Sequence, residues 1–111
     1  MLTETNPDMK VVREEIFGPV VVAEAFEDES KVMAVANNTT YGLAAAVWTK
    51  DVAKAHQVAR QLRAGTVSIN CYNVFDAALP VGGYKQSGWG RERGHGFLNN
   101  YLETKAVVAA T

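Results

Sequence analysis

Three short apolar runs alternate with two capped helical stripes over residues 20–70, and this alternation constrains the fold more than any other feature of the chain. Val20-Val21-Val22-Ala23 follows Gly18-Pro19 and continues to Phe26. A run that is β-branched and apolar on both faces suits a strand buried in a parallel sheet. Asp28 then stands as the N-cap of a helix with Val32, Val35 and Ala36 as its apolar positions, ending near Asn37-Asn38. Leu43 to Trp48 is the second run. Asp51 opens a second helix, in which Val52, Ala55, Val58, Ala59 and Leu62 recur at i, i+3, i+6, i+7 and i+10. That is one stripe at helical spacing. Arg60 and Arg63 fall in its last turn, and Gly65 is the expected stop. Thr66 to Asn70 is the third run. The order strand, helix, strand, helix, strand predicts an α/β fold with right-handed crossovers. The sheet is expected to be mostly parallel, covered on both faces in a three-layer α/β/α arrangement.

Beyond this unit the rhythm breaks. Residues 1–13 read as polar and irregular, with Pro7 barring a helix through that point. Six of the nine glycines lie between Gly82 and Gly96, where Gly82, Gly83, Gly88 and Gly90 allow positive φ and close backbone approach. A short helix over His95–Leu102 and an extended strand over Lys105–Ala109 close the pattern.

Composition excludes several classes of function. With 48% hydrophobic residues and a net charge of −1, the chain is neither disordered nor provided with a broad basic face for nucleic acid or anionic lipid. No apolar run approaches the ~20 residues that span a bilayer, and the N-terminus has no secretory pattern. One cysteine excludes an internal disulfide and suits a reducing cytosol, so a cytoplasmic chain is expected. A length of 111 residues allows one domain at most. Three parallel strands are few, and part of the core is expected to come from material outside this chain.

Two clusters can carry chemistry. In Glu14-Glu15-Ile16-Phe17-Gly18-Pro19 a carboxylate stands beside an aromatic ahead of a Gly-Pro turn. It could accept bonds from a ribose diol while the ring packs on a flat heterocycle; the plainer reading is a solvated Glu14, a helix- or turn-capping Glu15 and a core Phe17. The second cluster runs from Asn70 to Phe75 and from Pro80 to Glu92, at the C-terminal end of a strand, where ligands of open α/β sheets sit. Gly88-Trp89-Gly90 with Gly94 lacks the spacing and the preceding strand of a dinucleotide fingerprint. Cys71 has neither His56 nor His95 fixed beside it, and a buried structural thiol is the simpler reading. Two histidines and one cysteine without close spacing do not make a transition-metal site. Arg91-Glu92-Arg93 reads as a solvated charge cluster or a surface ion-pair network of little energetic weight.

Four segments in this order resemble the C-terminal part of the NAD(P)-dependent aldehyde dehydrogenases. They are Glu15-Ile16-Phe17-Gly18-Pro19, Asn37-Asn38 to Tyr41-Gly42-Leu43, Ala64-Gly65-Thr66-Val67, and Pro80 to Glu92. The resemblance covers about residues 3–108. It implies that Glu15 binds the nicotinamide-side ribose hydroxyls of NAD or NADP and that Phe17 packs near the nicotinamide. It points to Asn73, Phe75 and Val81 as lining of the aldehyde tunnel, with Val81 where many relatives carry an aromatic, and so to a wider wall. The stretch Asn73–Pro80 looks most like aryl-acetaldehyde-type members. By the same resemblance, Lys85 and Gly88 match positions that help hold a potassium ion, and residues 101–110 look like an oligomerisation strand. The family's catalytic cysteine, its general-base glutamate and its cofactor domain lie N-terminal to the matched region, so no catalytic residue is expected here. The expectation is a C-terminal piece of such an enzyme across 1–111, inactive alone, forming a homo-oligomer or joining the missing N-terminal part. The alternative is a non-catalytic assembly module.

Overall fold

A computed structural model describes residues 1–111, which divide into two units, Met1–Thr39 and Thr40–Thr111. In the first unit the helix expected after Asp28 is present as α2 (Glu29–Asn37), preceded by a one-turn helix α1 (Lys10–Arg13). The Asp28 carboxylate accepts the Ser30 amide and the Ser30 hydroxyl, both at 2.8 Å. That satisfies one of the free N–H groups every helix start carries. α1 lies just past Pro7, in a stretch where the sequence suggested no helix; proline obstructs only the turn that runs through it, and Val12 and Arg13 both donate to the Met9 carbonyl.

The strand expected over Val20–Phe26 does not form. Only a single parallel bridge joins Leu2 to Val22, with Leu2 N–H on the Val21 carbonyl at 2.7 Å and Ala23 N–H on the Leu2 carbonyl at 2.9 Å. A strand needs a neighbour along its whole length, and this unit offers one residue. No residue of the first unit is buried.

The second unit carries β1 (Tyr41–Gly42), β2 (Ala44–Val47), α3 (Val52–Gln61), β3 (Thr66–Ile69), β4 (Tyr84–Lys85) and a 3-10 helix over His95–Asn100. β2 and β3 pair in parallel from Ala44↔Thr66 to Val47↔Ile69, and α3 packs on both. This is the strand–helix–strand unit that the sequence predicts. Asp51 caps α3 through the Lys54 amide at 3.0 Å. The helix stops at Gln61, because Leu62 turns extended after its N–H reaches the Val58 carbonyl. Arg63 therefore lies past the last turn, and Gly65 is not the stop.

β1 pairs with β4 in a two-residue antiparallel ladder that the sequence did not announce. Among the glycines of the rich segment, Gly88 and Gly90 take positive φ, whereas Gly82 and Gly83 are needed for close approach. The short helix is a 3-10 turn, and residues 105–109 form no strand. The sheet is therefore one parallel pair and one separate antiparallel pair, not a third parallel strand with a layer on each face. Burial matches that reduction. Ala55 on the α3 stripe is the one buried apolar residue, joined only by Gly42 and Gly83. Two-stranded sheets are marginal without more surface to pack on, which accords with the expected need for core material from outside the chain.

Candidate functional site

In the first unit, Glu15 and Phe17 line the same open hollow, together with Val11, Glu14, Ile16 and Val20. Phe17 has φ 32° and is 95% exposed. A bulky aromatic in that region of backbone space is uncommon and strained. The solvated-and-core reading of this cluster therefore fails for Phe17, whose ring faces are free, while Glu15 is exposed beside it. A carboxylate and an open aromatic ring stand on one surface.

In the second unit, Phe75 and Val81 are gathered by two adjacent residues. Val81 and Glu92 exchange N–H···O bonds of 2.7 Å in both directions. One residue on, the Arg93 guanidinium lies 5.2 Å above the Phe75 ring, and Gly94 N–H donates to the Ala77 carbonyl at 3.0 Å. Residues 92–94 thus run along 77–81 and seat Arg93 on Phe75. Asn73 is exposed with φ 56°.

Arg91 and Arg93 are the residues that sequence reasoning missed. Arg91 Nη1 donates to the carbonyls of Gly83 at 3.0 Å and Gly90 at 2.6 Å, and its guanidinium lies 5.4 Å from the Tyr84 ring centre. The reading of Arg91-Glu92-Arg93 as merely solvated charge is corrected: both cations sit on aromatic faces. No local pattern announced either seat, since both aromatics, Phe75 and Tyr84, lie well before both arginines along the chain.

Lys85 and Gly88 stand at the two ends of one turn, with Gly88 N–H on the Lys85 carbonyl at 3.4 Å. No group of three or more His, Cys, Asp or Glu gathers anywhere to hold a metal. Cys71 is a free, half-buried thiol rather than a fully buried one. His56 and His95 are both exposed. Three of the six non-glycine residues with positive φ, Phe17, Asn73 and Lys85, are residues singled out from the sequence.

The sequence model of the aldehyde dehydrogenase family matches residues 1–107. The chain belongs to the aldehyde dehydrogenase family. Among solved structures, the NAD+ complex of aldehyde dehydrogenase from Bacillus cereus superposes with a TM-score of 0.89 at 56% identity, over 95% of this chain and 21% of that one. The betaine aldehyde dehydrogenase of Bacillus subtilis is 50% identical over 111 residues, all of this chain and 23% of its own length. The mitochondrial benzaldehyde dehydrogenase of Antirrhinum majus is also 50% identical, over 110 residues, 99% of this chain and 21% of its own. This aldehyde dehydrogenase chain thus spans about a fifth of the length of its relatives. No helix in it is long and apolar enough to cross a membrane.

Proposed function

We propose that the chain supplies the nicotinamide-ribose contact and part of the aldehyde tunnel to an NAD(P)-dependent oxidation of an aldehyde to a carboxylic acid. The observation that carries this is the shared hollow of Glu15 and Phe17, with the Phe17 ring open at positive φ. The residues fit the cofactor. Glu15 accepts the two ribose hydroxyls, and Phe17 gives the flat ring a face to rest on. When bound, NAD or NADP accepts the hydride that leaves the aldehyde carbon.

Asn73, Phe75 and Val81 bound the aldehyde tunnel, and with no bulky aromatic at Val81 the wall is wide. Lys85 and Gly88 give carbonyl oxygens to a potassium ion. The thiol that attacks the aldehyde comes from outside this chain, since Cys71 has no base or helix N-terminus to activate it. Alone the chain is inactive. Joined to the remainder of an aldehyde dehydrogenase, its β2–β3 pair extends into a larger parallel sheet in a three-layer catalytic domain, and residues 101–110 add as a strand to a neighbouring subunit. The setting is cytoplasmic, in keeping with one free thiol.

Co-expression with the N-terminal four-fifths of a related enzyme should give aldehyde-dependent formation of NADH or NADPH. The chain by itself should give none, and Glu15→Ala should raise the KM for the cofactor. A complemented enzyme indifferent to Glu15→Ala would overturn the assignment. The second reading, a non-catalytic assembly module, is favoured by the apolar tail, where Val107 and Val108 are almost wholly exposed. A strict monomer by light scattering removes it.

A further inference from the structure

We propose that Arg93, seated on the Phe75 ring, makes the tunnel select neutral aldehydes against aldehydes that carry a quaternary ammonium group. The inference rests on the placement of Phe75 in the tunnel wall given above. Two relatives of equal identity to this chain are named for opposite substrates in this respect, one for betaine aldehyde, a cation, and one for benzaldehyde, which is neutral. Identity therefore does not choose between them, and a local feature of the tunnel wall can.

A quaternary ammonium cannot donate a hydrogen bond, and an aromatic face is the surface that best attracts it. Phe75 is the candidate tunnel aromatic, 65% exposed in the chain. One of its faces already holds a cation, the Arg93 guanidinium at 5.2 Å. A second cation on the opposite face would sit about 10 Å from the first, by the usual spacing of a cation over a ring. It would meet a ring whose electron density is already drawn toward Arg93. At that separation like charges in a partly desolvated site still repel, whereas a neutral ring stacks on Phe75 without penalty.

The backbone that carries Arg93 is held beside Phe75. It takes φ 58°, between the Val81–Glu92 bridge and the bond from Gly94 N–H to the Ala77 carbonyl. A side chain on Gly94 would meet Pro80 and Ala78 at 3.1 to 3.3 Å, so the two segments lie close together. The charged and titratable groups next to Arg93 or Phe75 along the chain are Arg91, Glu92, His95 and Asp76. Arg91 is committed to the carbonyls of Gly83 and Gly90, and the Asp76 carboxylate accepts the Ala78 amide at 2.8 Å. Glu92 and His95 are exposed on either side.

The test joins this chain to the N-terminal part of the Bacillus subtilis betaine aldehyde dehydrogenase, in place of its own matching segment, and measures kcat and KM with betaine aldehyde and with benzaldehyde. The hybrid should prefer benzaldehyde. Arg93→Gln should shift the kcat/KM ratio toward betaine aldehyde by about fivefold to tenfold, chiefly through KM. Arg93→Lys should keep the parent's ratio, and raised salt should bring the parent toward Arg93→Gln, because screening weakens charge repulsion. An unchanged ratio in Arg93→Gln, with both aldehydes oxidised, overturns the inference and leaves the proposed function standing. Should the joined hybrid not fold, the two pieces are co-expressed separately. Oxidation of neither aldehyde in either format overturns the proposed function, and this inference with it.

Discussion

The carbonyl oxygen of Gly82 occupies the space that a side chain on Gly65 would need. Gly65 N–H also donates to the Gly42 carbonyl at 3.0 Å, and a Cβ on Gly42 would come within 2.6 Å of the Arg63 carbonyl. Three backbone segments, the ends of β1 and β3 and the start of the glycine-rich loop, therefore meet with no side chain between them. Gly65→Ala forces one of them aside. It is expected to lower the stability of the second unit by about 1–3 kcal/mol, the usual cost of overpacking. The urea midpoint of the chain reads this, and a midpoint equal to the parent's contradicts it.

That meeting explains what was and was not legible in the sequence. β2, α3 and β3 are held by neighbours close along the chain, so a helical stripe with Ala55 at its centre and an aspartate at its head announce them. Gly65 looked like a helix stop because the helix before it was visible and Gly82, far along the chain, was not. The same limit applies to Val20–Phe26 and to residues 105–109. Their composition is that of strands, yet strand formation depends on a neighbour that composition does not carry; the first run meets a single bridging residue, Leu2, and the second forms no ladder. For the site, the motifs that pointed to Glu15 and Phe17 lie within three residues and were legible. The seating of Arg93 on Phe75 depends on two segments lying alongside each other, and no local pattern encodes that.

Asn70 closes the parallel pair. Its amide clasps Thr49 in both directions, Oδ1 accepting Thr49 N–H and Nδ2 donating to the Thr49 carbonyl, each at 2.8 Å. Its backbone has φ 53°, which asparagine tolerates better than most residues. Asn70→Ala loses both bonds and adds strain, for an expected loss of about 2 kcal/mol. Asn70→Gly relieves the strain yet loses the same bonds, so it should fall between the two. Amide hydrogen exchange at Thr49 should quicken in both variants. Protection kept at Thr49 in the alanine variant would show that the clasp contributes nothing.

Asp28 gives α2 a pH dependence with a definite sign. The Ser30 hydroxyl, and then the Ser30 amide, hold its carboxyl below the ordinary aspartate value. A group whose pKa is depressed on folding adds stability that is full above its unfolded value, near 3.9, and is lost as pH falls through the folded value. Helix content and Ser30 amide protection should therefore be level at neutral pH and decline only in strongly acidic solution. Asp28→Asn keeps a capping oxygen without the charge, and should flatten that part of the profile. A decline in Asp28→Asn that matches the parent's assigns the acid sensitivity to another group.

Arg91 braces the glycine-rich loop. Its guanidinium bonds the Gly83 and Gly90 carbonyls and covers Tyr84, while Asn100 Nδ2 donates to its backbone carbonyl at 3.0 Å. Charged donors to carbonyls contribute about 1.5–3 kcal/mol each when partly buried. Both bonds leave the one nitrogen Nη1 of a planar guanidinium that also lies on Tyr84. A lysine ammonium has no such plane to lay on the ring, so Arg91→Lys is expected to behave more like Arg91→Gln than like the parent. Limited proteolysis between Gly82 and Gly90 should speed up severalfold in both variants, with the β2–β3 pair unaffected because no contact of Arg91 reaches it. A lysine variant as resistant as the parent would mean that a charged donor alone, without the planar group on Tyr84, holds the loop. Faster cleavage confined to Arg91→Gln would say the same.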